Sequence, residues 1–291
     1  LKRGLTTKAG SAPLEAGSAI HAGLETFYTS EREERIIPPK MTENMELLAN
    51  GVSVEGADEF LIYRATMSLI ARAGALAALP PTDKRSVQNL VWILGEYFKA
   101  YIEDPYEVYI DDQGPFVERR LEHVVYEDPG LKIILHGTID LVLRNIATGQ
   151  ILVADHKTTS QAGQDFFNRL KPNHQYTGYL YLANKVLGLD TENFMVNGIE
   201  IKAKPKTSRG KGPHFPRQIT KRTAEDFLEY EKTIVHFTKI YLHLLATDFW
   251  PKGNVDACAM WGACTYHKVC SAPNALHENI ISAHFNERTP N

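Results

Sequence analysis

The sequence predicts an α/β fold in which a mixed central sheet is flanked by helices. A strand-like hairpin lies near the middle of the chain, at residues 135–160. Helical apolar periodicity comes before it, from Pro13 to Tyr28, and after it, from Gln175 to Leu187. Because helical segments flank the strand-rich centre in the sequence, we expect helices to pack on the sheet and form a layered core.

The length and composition allow one large domain or two small ones, and we predict a single domain over residues 1–291. The chain is 43% hydrophobic and 23% charged, which is enough apolar material for a large core. The formal net charge of −3 does not by itself indicate a nucleic-acid-binding protein. An apolar run of about 18 residues and a signal-peptide pattern are both missing, so we expect a soluble, intracellular protein with no membrane partner. Leu1 is not an initiator methionine, which leaves open that residues precede it.

The first third of the chain is predicted to be mostly helical. Residues 1–12 are polar and basic, and we expect a loop there. The helix that follows places His21 on or beside its apolar face, where a lone histidine is ordinarily a core residue hydrogen-bonded to a carbonyl group. Residues 31–105 contain further helices and no cluster of reactive side chains. A helical insertion that shapes a substrate channel and plain structural bulk are equally open interpretations of this block.

Two strands are predicted ahead of the central hairpin, at residues 106–110 and 116–126. Asp111 to Pro115 supplies a turn between them. Glu118 lies at the start of the second strand. Its ordinary interpretation is a solvated glutamate on the face of the strand.

The central hairpin gathers three charged side chains. Asp140 lies in an apolar strand, where an ionised carboxylate needs a cationic partner. Asp155 ends the second strand, and Lys157 projects to the same face because strand side chains alternate. Two carboxylates and a lysine at one point can bind a hard divalent cation and leave an ammonium group beside an attacked phosphate. The alternative is a buried ion pair without chemistry.

Two later segments could contact a phosphate backbone. Gln175 and Tyr179 lie one turn apart on a helix and offer hydrogen bonds without charge, although Tyr179 alone would be an ordinary half-buried aromatic. Residues 194–203 are predicted to form a strand. The segment from residue 202 to 222 contains eight basic and no acidic residues, and it is either a solvated loop or a loop that follows nucleic acid. Its predicted nucleic-acid contacts are Lys202, Lys204, Lys206, Arg209, Lys211 and Arg217.

All three cysteines lie in the C-terminal segment 248–275, with the spacing C-x5-C-x5-C: Cys258, Cys264 and Cys270. In an intracellular chain this spacing favours a metal site over disulfides, although it is less diagnostic than two C-x-x-C pairs. Three thiolates are one short of the four ligands that a structural zinc ion or a [4Fe–4S] cluster takes. His267 could complete a zinc site.

Four sequence motifs together resemble those of the PD-(D/E)XK nuclease superfamily, specifically its RecB-like branch of phage-type and CRISPR-adaptation exonucleases. In chain order they are Gly17-Ser18-Ala19-Ile20-His21 (G-x-x-x-H), Gly137-Thr138-Ile139-Asp140 (G-x-x-D), Asp155-His156-Lys157 (D-x-K) and Gln175-Tyr176-Thr177-Gly178-Tyr179 (Q-x-x-x-Y). Each motif alone is weak. All four in the family order, from residue 17 to residue 179, make the resemblance specific.

The resemblance implies a restriction-endonuclease-like core. It also implies the activity of a metal-dependent DNA exonuclease that acts in recombination, repair or phage DNA processing. The protein would then be bacterial or phage-encoded. It implies that His21, Asp140, Asp155 and the backbone carbonyl of His156 hold Mg²⁺ or Mn²⁺. Lys157 then positions or activates the attacking water and offsets charge on the phosphate. Three further residues gain roles from it: Glu118 matches a glutamate that supports the metal site in relatives, and Gln175 and Tyr179 join the catalytic set.

The resemblance also favours a [4Fe–4S] cluster over zinc or unligated cysteines. Relatives with a cluster take one cysteine from near the N-terminus and three from the C-terminal tail. Residues 1–257 contain no cysteine, so a fourth cysteine ligand is expected ahead of Leu1.

Two other functions stay open. A structure-selective endonuclease would use the same metal site. A catalytically silent nucleic-acid-binding subunit would not need Asp140, Asp155 and Lys157, so their presence counts against it. A helicase or a recombination protein is the partner that the resemblance suggests, in addition to DNA.

Overall fold

A computed structural model of the chain describes residues 5–7, 11–207, 209–251, 255–258 and 264–287. The helices in these ranges are α1 (Ala12–Thr29), α2 (Met41–Ala49), α3 (Leu61–Arg72), α4 (Val87–Tyr101), α5 (Gln164–Phe167), α6 (His174–Leu187), α7 (Ala224–Thr247), α8 (His267–Ser271) and α9 (His277–His284). The strands are β1 (Leu5–Thr7), β2 (Tyr106–Val108), β3 (Ile110–Asp111), β4 (Gly114–Pro115), β5 (Val117–Asp128), β6 (Leu131–Asn145), β7 (Ile151–Thr159), β8 (Asn193–Glu200), β9 (Arg217–Lys221) and β10 (Phe285–Glu287).

The chain forms two compact units. One contains residues Ala12–Lys239, and the other combines Leu1–Ser11 with Ile240–Asn291. The prediction of one nuclease domain over residues 1–291 stays a prediction. No helix in the part of the chain that the structure describes combines the length and the apolar character that a membrane span needs.

The larger unit contains a six-stranded mixed sheet. Its strand order is β2-β6-β7-β8-β9, and β5 also pairs with β6. The β5–β6 and β6–β7 pairs are antiparallel, as are β2–β6 and β8–β9. β7 and β8 are parallel, and α6 lies in the connection between them. Parallel neighbours need such a crossover, so the alternation of strand and helix in the sequence leads to a mixed sheet. The predicted α/β fold is confirmed.

Helices cover both faces of the sheet. One core joins α1–α4 to a face that carries Leu143, Leu152 and Met195. The other joins α5 and α6 to the opposite face, which carries Val153 and Phe194. Successive residues of a strand therefore enter different cores, as strand geometry requires. The predicted helical block at residues 31–105 accounts for most of the first core and belongs to the same compact unit as the sheet.

Side-chain caps begin three of the helices. Ser86 accepts a hydrogen bond from the Asn89 backbone amide at the start of α4. Asn173 accepts from the amides of Gln175 and Tyr176 at the start of α6. Thr223 caps α7 in the same way. These caps satisfy amides that have no partner inside the helix, so each fixes where its helix starts. The cap on α6 also sets where Gln175 and Tyr179 lie.

Two expectations about the ends of elements are wrong. Residues Leu5–Thr7, which we expected in a loop, form β1 and pair antiparallel with β10. This pairing joins residues that are far apart in the sequence, such as Leu5 and Glu287, and a local sequence pattern cannot show it. The sequence pattern predicts that Asp155 ends its strand, but β7 continues to Thr159 because it stays paired with β8.

The smaller unit contains the three cysteines. The Cys264 amide donates to the Cys258 carbonyl oxygen at 2.8 Å, and the Cys270 amide donates to the Tyr266 carbonyl oxygen at 3.0 Å. The Tyr266 hydroxyl donates to the Leu5 carbonyl oxygen at 2.8 Å. The segment that carries the cysteines therefore contacts the N-terminal strand directly.

Candidate active site

Asp140 and Glu118 face each other at an irregular point of the β5–β6 pair. The residues on either side of Asp140 enter different cores: Ile139 packs with α6, and Leu141 packs with α1–α4. The register pairs Val117 with Leu141 and Arg119 with Ile139, which places Glu118 opposite Asp140. Glu118 has a φ of 47°, in the left-handed region that non-glycine residues rarely adopt. This local backbone conformation turns both carboxylates towards α1.

His21 on α1 completes this cluster. Its Nδ1 atom lies 3.4 Å from Glu118 Oε1 and 3.5 Å from Asp140 Oδ2. Its Nε2 atom lies 2.9 Å from the carbonyl oxygen of His156. Gly17, one turn before His21, lets α1 approach β7, because a Cβ atom at this position would lie 3.2 Å from Thr158 Oγ1. The G-x-x-x-H motif therefore has a packing reason for its glycine.

His156 supports the site through its backbone. Its amide donates a 2.8 Å hydrogen bond to Asp140 Oδ2, while its carbonyl oxygen accepts from His21. The His156 ring points into the core. Its Nδ1 atom lies 2.8 Å from Asn197 Nδ2, within hydrogen-bond distance, and the ring stacks on that of Tyr28. Burial, together with the nearby charge of His21, holds the pKa of His156 well below its usual value. The neutral ring thus holds in place the backbone amide and carbonyl oxygen of His156, which bond to Asp140 and His21.

Asp155 and Lys157 form an ion pair on the face covered by α6. Lys157 Nζ donates to Asp155 Oδ1 at 3.0 Å. It also lies 2.9 Å from Oδ2, but in the described part of the chain Oδ2 accepts no hydrogen bond of proper geometry. Asp155 is 1% exposed. A buried carboxylate oxygen without a hydrogen bond is costly, which fits a site that a cation completes.

The electrostatics of these residues favour bound positive charge. Burial, reinforced by the charge of Asp155, raises the pKa of Asp140 to about 7. Burial also raises the pKa of Asp155, although Lys157 opposes this effect. For His21, burial lowers the pKa, but Glu118 and Asp140 outweigh it and the pKa is raised. Burial likewise lowers the pKa of Lys157, and Asp155 more than compensates, so Lys157 stays an ammonium ion.

The geometry and the donor atoms fit a divalent ion. The ligand atoms of His21, Glu118 and Asp140 all lie within 4.8 Å of one another, and no other His, Cys, Asp or Glu group within the described residues meets this condition. Carboxylate oxygens with one imidazole suit Mg²⁺ or Mn²⁺. Asp155, predicted as a further ligand, lies beside this group and is engaged with Lys157. The His156 carbonyl, also predicted as a ligand, is used by His21.

Gln175 and Tyr179 lie on the face of α6 that approaches the hairpin. Gln175 Nε2 donates to the Tyr179 hydroxyl at 3.1 Å. Gly137 on β6 leaves room for the Tyr179 ring, because a Cβ atom there would lie 3.0 Å from Tyr179 Cε1. Tyr176, to which the motifs assign no role, has its ring centroid 5.9 Å from Lys157 Nζ. Burial and the charge of Asp155 raise the pKa of Tyr176 to about 12. The signal for Tyr176 was its place inside the Q-x-x-x-Y motif.

The prediction that Arg217 contacts nucleic acid is wrong. Both its Nη atoms lie 2.7 Å from the carboxylate of Asp104, a side chain with no exposed surface. Its guanidinium group also packs 3.6 Å from the Tyr101 ring centroid. A buried carboxylate needs a cationic partner, so the charge of Arg217 compensates Asp104 inside the protein.

The other predicted nucleic-acid contacts in residues 202–222 differ in exposure and in whether they form ion pairs within the protein. Lys204 forms an ion pair with Glu46. Lys202 is half-buried, whereas Lys206, Arg209 and Lys211 are exposed. The prediction of a nucleic-acid-binding loop therefore rests mainly on the last three.

A cleft of about 520 Å³ opens beside the cluster. His21, Glu118 and Lys157 are among its lining residues. Leu14 on α1 and Arg72 on α3 also line it, so the helical block contributes to its wall. The volume lies within the range of about 300–1,000 Å³ that is typical of ligand sites.

One comparison with known proteins bears on this site. A family model described as the PD-(D/E)XK nuclease superfamily matches residues 1–271. No curated protein matches the chain. The matched range contains the cluster of His21, Glu118 and Asp140, the Asp155–Lys157 pair and all three cysteines.

Proposed function

Because the chain belongs to the PD-(D/E)XK nuclease superfamily, we propose that it is a metal-dependent DNA exonuclease of the RecB-like branch. The observation that carries this proposal is the meeting of His21, Glu118 and Asp140 beside the Asp155–Lys157 ion pair. Fold alone does not define a function, whereas a constellation of this kind restricts the chemistry.

The residues divide between holding a metal ion and handling the substrate. His21, Glu118 and Asp140 would hold Mg²⁺ or Mn²⁺, with Asp155 beside them. The bound ion supplies Lewis-acid polarisation of a phosphate oxygen and lowers the pKa of a coordinated water. His21 is oriented by its hydrogen bond to the His156 carbonyl, which is how metal-binding histidines are commonly held.

Lys157 acts on the phosphate as a cation. Burial lowers the pKa of Lys157, but Asp155 more than compensates and favours the ammonium form. The Lys157 side chain would position or activate the attacking water, and its charge would offset the charge that develops on the phosphate oxygens. Gln175 and Tyr179 add uncharged hydrogen-bonding groups for the substrate backbone.

The order of the motifs supports the RecB-like branch and attack at strand ends. An experiment with end-labelled linear DNA and covalently closed circular DNA tests this. We expect mononucleotides or short fragments from the linear substrate and an intact circle. Cleavage of the circle would replace the exonuclease with a structure-selective endonuclease. Binding of both substrates without cleavage, under any divalent metal, would indicate a catalytically silent nucleic-acid-binding subunit.

We also propose that the cysteines hold a [4Fe–4S] cluster. Three cysteines lie within residues 258–270, and the N-terminal strand contacts Tyr266 between the last two of them. The fourth cysteine ligand that the resemblance implies would come from ahead of Leu1. Anaerobically purified full-length protein should be brown and contain iron and sulfide. A colourless preparation with stoichiometric zinc, or with no metal, would reject the cluster.

A further inference from the structure

We propose that Arg72, at the end of α3, binds a phosphate of the substrate strand and positions that strand in the cleft. This inference rests on the proposed nuclease function and adds to it a residue from the helical block. Arg72 lies outside every motif that identified the site.

The packing of α1 on α3 places Arg72 at the cleft. Thr26 on α1 donates a 2.8 Å hydrogen bond to Ser68 on α3. Arg72 follows Ser68 by one helical turn, and Ala22 precedes Thr26 by one turn. Ala22 and Arg72 both line the cleft. The same helix that carries His21 therefore fixes the position of Arg72.

The α1–α3 contact is close enough to make this placement well defined. A Cβ atom at Gly23 would lie 3.2 Å from the Ala65 carbonyl oxygen and 3.0 Å from Leu94. Close-packed helices do not slide freely, because side chains interdigitate at native density. Arg72 is thus an exposed side chain on a fixed support.

The charge of Arg72 is available to a ligand. Within the part of the chain that the structure describes, its guanidinium group makes no hydrogen bond or ion pair, although Glu25 lines the same cleft. Lys157, the other lysine or arginine of the lining, is already paired with Asp155. Arginine presents a planar fork of donors that matches two phosphate oxygens, so a phosphodiester is the ligand class that fits.

Leu14 adds a contact of a different kind. It is 72% exposed although it is large and apolar, and it lines the cleft on α1. An apolar side chain in the same cleft as a phosphate-binding arginine suits a nucleotide, whose base is flat and apolar on its faces while its phosphate is charged. The presence of both Leu14 and Arg72 in the lining therefore favours a nucleic-acid strand over a free inorganic anion.

Binding without cleavage is the first test. We would measure the affinity of Arg72→Gln for a labelled single-stranded oligonucleotide in EDTA. We expect binding to weaken about 10- to 100-fold, the usual effect of losing a hydrogen bond to a charged group. The slope of log affinity against log salt should fall by about 0.7, the value for one phosphate contact on a single strand.

Matched variants separate a specific contact from a general loss of charge. Arg72→Lys should keep most of the salt slope and lose part of the affinity. Lysine keeps the positive charge but lacks the planar set of donors that can bind two phosphate oxygens. Arg144→Gln removes an exposed arginine that does not line the cleft and should bind like the wild type. Glu25→Gln should bind DNA slightly more tightly. Wild-type affinity and slope in Arg72→Gln would overturn the inference.

A substrate series identifies the phosphate. Each phosphate in turn would be replaced by an uncharged methylphosphonate. At one position, the replacement should raise the KM of the wild type about as much as Arg72→Gln raises the KM for the unmodified substrate. The same replacement should not raise the KM of Arg72→Gln any further. Additive effects at every position would refute the contact while leaving the nuclease activity intact. If the wild type neither cleaves nor binds DNA, the proposed function fails and this inference with it.

Discussion

His21 Nε2 lies 2.9 Å from the backbone carbonyl oxygen of His156, and this contact links the first motif of the chain to the third. The carbonyl accepts a hydrogen bond from Nε2, and Nδ1 faces Glu118 and Asp140. Burial lowers the pKa of His21, but the two carboxylates outweigh it and favour a proton on Nδ1, whose place a bound metal ion would take.

We predict that His21→Phe lowers Mn²⁺ affinity. The ring of phenylalanine keeps the packing of α1 but offers neither a ligand nor a donor. Calorimetric titration of the full chain should give an affinity at least about 10-fold weaker, in line with losses of about 10–100-fold when only an outer-shell partner of a metal ligand is removed. His123→Phe, far along β5 from the cluster, is the control. Equal Mn²⁺ affinity in wild type and His21→Phe would remove His21 from the metal site.

Asp140→Asn should stabilise the metal-free protein at high pH. The pKa of Asp140 is raised to about 7 in the folded chain, whereas an unfolded aspartate titrates near about 4. The folded state therefore binds the Asp140 proton more tightly than the unfolded state does. This proton binding contributes stability that is fully present below about pH 4 and is lost as the pH rises through about 7. Asparagine does not ionise and avoids this loss.

Thermal unfolding in EDTA measures the effect. Asp140→Asn should have the higher Tm at pH 8, and the difference should shrink towards pH 4. A gain of 1 kcal/mol corresponds to about 2–4 °C in domains of about 150–250 residues, and we expect at least that shift. Asp112→Asn, at an exposed turn, is the control. A lower Tm for Asp140→Asn at pH 8 would show that the carboxylate is stabilising without metal.

The exposed basic residues within residues 202–222 should account for much of the salt dependence of DNA binding. Replacing Lys206, Arg209 and Lys211 together by glutamine should lower the salt slope by about 2, at about 0.7 for each phosphate contact on a single strand. Lys204→Gln is the internal control, because Lys204 is paired with Glu46. An unchanged slope in the triple variant would mean that the segment is only a solvated loop.

The buried pair of Asp104 and Arg217 should be important for stability. Removing one member of a buried ion pair leaves an uncompensated charge and costs about 3–5 kcal/mol. We expect a loss of that size for Asp104→Ala in urea unfolding. The exposed pair of Glu107 and Arg144 provides the matched comparison, where Glu107→Ala should cost less than about 1 kcal/mol. Similar costs at the two sites would contradict the structural role of Arg217.

Local patterns predicted the elements that carry the site. Apolar runs and turn residues located β6 and β7, and helical periodicity located α1 and α6, because these signals depend on neighbouring residues. They also predicted that Lys157 would lie beside Asp155, since both project from one strand face.

Long-range pairing explains what the sequence did not reveal. The charge pattern groups Arg217 with the lysines around it, because its partner Asp104 lies 113 residues earlier in the chain. The residue pattern alone predicts a solvated strand position for Glu118, and only the resemblance suggests a metal-site role, since its positive φ depends on the register with β6. Arg72 carries no motif at all. In each case the deciding contact forms only when separate elements pack, and no local pattern encodes it.

The central claim is that metal held beside Lys157 drives hydrolysis of DNA. The most direct measurement follows end-labelled single- and double-stranded DNA with the wild type and with Lys157→Gln, with and without Mg²⁺ or Mn²⁺. The account predicts metal-dependent product from the wild type and a rate about 10²–10³-fold lower for Lys157→Gln, as for loss of one transition-state contact. Product that forms equally well in EDTA, or a Lys157→Gln variant as fast as the wild type, would contradict it.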